Sequence, residues 1–168
     1  MNWDAGSMLE LLEKQHEILS GLLQIEHEKR VLILKGPPEE LDALVTSERK
    51  EIARLSQIEK KRALLAAPIA GVFGVPEQEL TISVMVENSD EELKDQLLRL
   101  QKDLVAVTGA LTEINALNKE LLEAQLEFTE IQLNLFVGTE DPINNLYGGD
   151  GKADVELRRS AGLFDKQI

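Results

Sequence analysis

The chain has 168 residues, no Cys, and 18 basic against 31 acidic side chains, for a net charge of −13. Without Cys there is no disulfide framework, no thiol nucleophile and no Cys-ligated metal, and the usage fits a reducing cytosol. A pI near 4.6 argues against nucleic acid and against anionic membrane surfaces, both of which select clustered Lys and Arg. Apolar residues at 43% suffice for a core, and aromatics at 4% are few for a barrel, a sandwich or a nucleotide pocket. No apolar run approaches the ~20 residues that span a bilayer. The start, MNWDAGSMLELLEKQHE, lacks the charged-then-apolar order of a secretory signal, so a cytoplasmic location is expected.

The first helix is predicted from Asp4 or Ser7 to about Leu34 or Lys35. Leu11, Ile18, Leu22, Ile25 and Leu32 recur at helical spacing, and Leu12, Leu19 and Ile33 widen the stripe. Gly36 and the prolines Pro37 and Pro38 break it. A second helix opens at Pro38 or Glu39, where Glu39, Glu40 and Asp42 suit the positive helix end. Leu41, Leu44, Ile52, Leu55, Ile58 and Leu65 mark its inner face. It is expected to end at Ala67, because Pro68 disfavours helix at the residue before it.

Residues 68–89 are ambiguous. ELTISVMVENS reads as a strand by the alternation of Ile82, Val84 and Val86, or as a short helix beginning after Thr81. The helix is preferred, because a lone strand finds no partner in this chain.

The third helix is predicted from Ser89 or Asp90 to Val137, with SDEE resembling a capping box. Its ladder runs Leu93, Leu97, Leu100, Leu104, Val107, Leu111, Ile114, Asn118, Leu121, Gln125, Phe128, Gln132, Leu135 in strict steps of four and three, as in a coiled-coil seam. After Ile114 the seam turns partly polar. A second apolar row appears at Leu122, Leu126, Leu133 and Phe136, with Leu117, Ala124 and Ile131 on another side. Residues 29–62 are mainly basic, whereas 103–137 hold Lys119 as their only cation, so complementary fields favour laying these stretches side by side. From Gly138 the periodicity stops, and residues 138–168 read as a flexible tail.

The expected fold is therefore all-α: an elongated helical hairpin or three-helix, coiled-coil-like bundle over residues 1–137. Its helices lie at about 4–35, 38–67 and 90–137, with a short element at 80–88 and the third helix projecting beyond the others.

Catalytic and metal signatures are missing. His16 and His27 are eleven residues apart on one side of a helix, roughly 16 Å, too far to share a metal. GGDG at 148–151 lacks the Lys and Ser/Thr of a phosphate loop and follows a helix. No Gly-x-Ser-x-Gly occurs. No cofactor, metal or enzymatic activity is expected. The remaining signal is apolar surface on the late third helix. It is covered either by the first helix and a second copy, giving a homodimer through residues 114–137, or by a partner's amphipathic helix. In a dimer, Asn118, Gln125 and Gln132 pair with symmetry mates or with the client. Trp3, the only Trp, packs on the hairpin end or caps an interface.

Several segments carry a family resemblance. LLQIEHEKRVLILKGPPEELDALVTSERKEIARLSQIEKKR resembles the first half of the FlgN-type flagellar export chaperones. INALNKELLEAQLEFTEIQLNLFVG resembles that family's Leu-Asn-x-x-Leu-Leu, Leu-x-Phe, Leu-Asn-Leu helix end, here at Leu117, Asn118, Leu121, Leu122, Leu126, Phe128, Leu133, Asn134 and Leu135. LYGGDGK and LFDKQI resemble the segments that follow it. The resemblance implies a cytoplasmic chaperone of flagellar type III export. Its clients would be the C-terminal helical segments of hook-associated proteins 1 and 3, the hook–filament junction proteins, which it also brings to the export gate. It places the client site at Leu117, Asn118, Leu121, Leu122, Gln125, Leu126, Phe128, Gln132, Leu133, Leu135, Phe136 and Tyr147. The alternative is a coiled-coil adaptor or tether without a chaperone role.

Overall fold

A computed structural model of the chain describes residues 3–138; about 91% of these are helical and none lies in a strand. The tail expected at 138–168, with Tyr147, lies outside the described residues beyond Gly138. The helices are α1 (Ala5–Lys35), α2 (Pro38–Phe73), α3 (Ile82–Glu87) and α4 (Glu91–Gly138), with one 3-10 turn at Glu77–Glu79.

Asp4 starts α1 by accepting a hydrogen bond from the Ser7 backbone N–H at 3.1 Å. Gly36 ends it with an N–H donated to Leu32 O at 2.8 Å. Its backbone is extended rather than left-handed, so the need for glycine there is spatial. A Cβ at this position would come within 2.7 Å of Leu32 Cα. Pro38 then occupies the first position of α2, where a missing N–H costs nothing, and Glu39 and Glu40 follow in the first turn.

Contrary to the sequence expectation, α2 does not stop at Ala67. It carries Pro68 inside it and runs on to Phe73. A proline in a helix interior costs about 3 kcal/mol. Burying an Ile side chain returns about 1.5–3 kcal/mol, and Ile69 and Ala70, directly after the proline, are both buried. Phe73 adds an edge-to-face contact with Trp3, centroids 5.4 Å apart and planes at 79°. Packing beyond the proline thus offsets the local penalty, and Trp3 sits at this end of the α1–α2 pair. The real terminator is Gly74, in the left-handed region at φ 69°, with its N–H and that of Val75 closing on Ala70 O.

Residues 82–87 form the short helix preferred over a strand. Thr81 Oγ1 caps it by accepting from Val84 N–H. Adjacent Met85 and Val86 are both buried, which a helix permits and strict alternation does not. Ser89 donates its hydroxyl to Met85 O and so finishes α3. Asp90 caps α4, accepting from Leu93 N–H at 3.0 Å. The capping box expected from SDEE therefore does not form.

The core joins Met8, Leu12, Leu19 and Leu22 of α1, Ile58 and Ile69 of α2, Met85 and Val86 of α3, and Leu97, Leu100, Leu104 and Val107 of α4. The buried α4 residues fall on the predicted ladder. Side-chain links give the helix directions in residues 1–125. Gln15 donates to Glu59 at 2.8 Å and Lys29 to Glu48 at 2.8 Å, so α2 runs antiparallel to α1. Leu12 lies beside Leu104, and Asn118 reaches Glu26, so this part of α4 runs parallel to α1.

The expected pairing of basic and acidic stretches is not made by direct ion pairs. Among the described residues of 1–125, ion pairs lie within α1, α2 or α4, or join α1 to α2; none joins α2 to α4.

Core position and surface position should separate cleanly on truncation. Leu97→Ala, at a fully buried site, is expected to cost about 2–5 kcal/mol by urea denaturation. Leu64→Ala, on the same molecule at 77% exposure, is expected to stay within about 0.5 kcal/mol. Equal costs for the two would place the core elsewhere.

Candidate functional site

Two features of α4 stand out, one polar and buried, one apolar and exposed. The first centres on Glu26, which is only 1% exposed. Asn118 Nδ2 donates to Glu26 Oε2 at 2.7 Å and to Glu26 O at 2.9 Å. Lys29 Nζ donates to Glu26 Oε1 and to Glu48 Oε2, both at 2.8 Å. Three helices thus meet at one polar knot.

Burial alone would raise the Glu26 carboxyl. Hydrogen bonds from Lys29 and Asn118 outweigh it and hold the group below its ordinary value. Burial likewise works against the Lys29 ammonium, but its bonds to Glu26 and Glu48 win and push it up. The carboxylate and the ammonium are therefore both charged at neutral pH.

Asn118 was expected to pair with a symmetry mate or a client. Its amide donors are instead taken inside the chain, because the ladder position it occupies faces α1. Asn118 Oδ1 and Gln15 Oε1 are buried without a hydrogen-bond partner.

The other expected site residues fall into two groups. In residues 1–125, Leu117 and Leu121 are half-buried, whereas Leu122 and Gln125 are exposed. In the second compact unit, which begins at Leu126, the exposure is general. Leu126, Phe128, Ile131, Leu133, Leu135 and Phe136 are each more than half exposed, up to 73% at Phe136, and Gln132 is exposed among them. On a helix, Phe128, Ile131 and Leu135 share one side and Leu126 and Leu133 another. Ile131 belongs with this set as much as its neighbours do. Tyr147 lies outside the described residues.

His16 is half-buried and His27 exposed. Among the described residues no three His, Asp or Glu side chains gather as a metal site would require. No described helix is long and apolar enough to cross a membrane.

Glu26 and Lys29 carry a signal in the sequence. Leu12, Gln15, Leu19, Leu22, Glu26, Lys29 and Ile33 step by three and four, the same register as the α4 ladder. Two charges three residues apart on a mainly apolar seam line are the signal of a buried polar contact.

The family described as "FlgN protein" matches residues 1–154, and the chain belongs to that family. FlgN proteins are flagellar export chaperones. The uncharacterized protein YvyG of Bacillus subtilis (strain 168) is 26% identical over 163 residues, spanning 97% of this chain and 98% of the relative. No solved structure matches the chain.

The polar knot makes a signed pH prediction. With the folded value of Glu26 below its ordinary 4.5, the unfolded chain binds more protons in acid. Its contribution is present above the unfolded value and is lost as pH falls through the folded one. Lys29, raised above 10.5, contributes below its unfolded value and loses this as pH rises through the folded one. Glu26→Gln is expected to flatten the acid limb of the urea-midpoint profile below about pH 4.5. Lys29→Met, which strands two carboxylates, is expected to cost about 3–5 kcal/mol at neutral pH. An acid limb unchanged in Glu26→Gln would remove Glu26 from this linkage.

Proposed function

We propose that this chain is a cytoplasmic export chaperone that holds the C-terminal amphipathic segments of hook-associated proteins 1 and 3 on the late part of α4, and delivers them to the flagellar type III export gate. Family membership supports the chaperone class. The observation that carries the site is the exposed apolar run Leu126–Phe136, six large side chains in eleven residues, each more than half exposed.

An amphipathic client helix sets its i, i+3, i+4 and i+7 anchors against such a stripe. Capture removes apolar surface of both partners from water at about 25 cal/mol per Å². In this reading the complex covers the client's helix-forming end and the chaperone's apolar side chains in one step. The chaperone's negative charge keeps that complex soluble. Asn118, being buried, serves the scaffold in this proposal; the client meets Leu122, Gln125 and the residues after them, with Tyr147 a further contact. The other reading is a homodimer through residues 114–137, in an adaptor or tether. It rests on the same apolar run, and the same experiment separates it.

Leu126→Ala combined with Phe136→Ala should weaken capture of a hook-associated protein C-terminal peptide by thirtyfold or more, about 2 kcal/mol, as measured by calorimetry. Circular dichroism and the melting curve should barely change. Unimpaired binding would move the client site off this stretch. Loss of fold would put these side chains in the protein's own core, and a lost dimer with no effect on peptide capture would favour the adaptor.

A further inference from the structure

We propose that the α1–α2 hairpin carries a second docking surface, independent of the client site, for an amphipathic helix with cationic flanks on another protein. Where the end of α1 meets the start of α2, an open groove of about 470 Å³ is walled by Val31, Leu32, Ala43 and Leu44, with the exposed carboxylates Glu28 and Glu40 beside them. Val31 is 63% exposed, and no Lys or Arg lines the groove.

The surface continues along α1. Past Val31 and Glu28 a second open stretch reaches Leu23 and His27, and Leu34 stands exposed at the other end. Leu23 to Leu34 covers three helical turns, roughly 16 Å. That is the length of one i, i+4, i+7, i+11 set of anchors, so the shape fits a helix laid along the hairpin. A small molecule would find few convergent polar groups to orient it.

Charge decides the occupant. The cation beside Glu28 in the chain, Lys29, is committed to Glu26 and Glu48. Glu28 accepts only a neutral hydrogen bond from Gln24, at 3.0 Å. Two carboxylates therefore flank an apolar trough that holds no compensating charge, which favours Lys or Arg at the edges of the incoming helix. The exposed side chains of α4 after Asn118 are a poor match in a second copy, since Glu120, Glu123, Glu127 and Glu130 oppose a single Lys119.

The probe is a synthetic 18-residue helical peptide with Leu and Ala anchors and Lys at the flanking positions, beside a twin with Glu in place of Lys. Both are titrated by fluorescence anisotropy against the full chain. The Lys peptide should bind at least tenfold tighter than its twin, and Val31→Asp, at a site away from the core, should abolish that binding with an unchanged melting curve. Glu28→Lys with Glu40→Lys should reverse the preference. Glu91→Lys with Glu92→Lys, the same charge change at the start of α4, should leave it in place. Absence of binding by either peptide, or a preference that survives both groove variants, would overturn the proposal. So would sedimentation showing a dimer that Val31→Asp dissolves, since the occupant would then be a second copy.

Discussion

The structure of residues 1–125 depends on one buried contact, the amide of Asn118 on the carboxylate of Glu26. Leucine ladders at steps of three and four are nearly indifferent to a slide of seven residues, because each heptad offers the same apolar knobs. A hydrogen-bonded charge at one place on the seam is not indifferent. Slid by a heptad so that Leu111 takes the place of Asn118, Glu26 would face leucine, and the stranded carboxylate would carry its full desolvation cost. Lys29 extends the constraint to α2 through Glu48. One knot thereby sets the axial position of three helices, whereas the surrounding Leu and Ile side chains supply most of the stabilisation without choosing a register.

That division of labour bears on the chaperone role. An export chaperone needs one part that stays folded while another offers apolar side chains to a client that comes and goes. The two compact units of the chain have contrasting surfaces. In residues 1–125, α4 places Leu97, Leu100, Leu104, Val107 and Ile114 inside. In the unit that begins at Leu126, the side chains of the same helix that are described are exposed, apolar ones included. The hydrophobic effect acts on both sets alike. In the first it has been satisfied within the chain. In the second the apolar side chains are exposed to water. Negative charge around such a surface slows non-specific association between copies.

Local chemistry explains where the elements begin and end more often than it explains how far they run. Asp4, Thr81 and Asp90 each cap a helix with a side-chain oxygen, and Gly36 and Gly74 end α1 and α2 for different reasons, one a close approach to Leu32, the other a left-handed turn. Pro68 is the exception. Its effect on the preceding residue is a local preference of a few kcal/mol, and Ile69, Ala70 and Phe73 override it by packing.

The amino-acid sequence by itself determined the all-α class, the α1 and α2 starts, the short helix after Thr81 and the α4 ladder, because helical periodicity, caps and breakers act over a few neighbouring residues. It also marked the late α4 stretch, since six large apolar side chains there exceed what one seam accommodates. Only the tertiary structure decided that α2 passes through Pro68 and that Asn118 turns inward to Glu26. Each of those outcomes depends on atoms brought together from distant parts of the chain. Asn118 and Glu26 stand ninety-two residues apart, and no local pattern distinguishes an amide that will face a carboxylate from one that will face a partner.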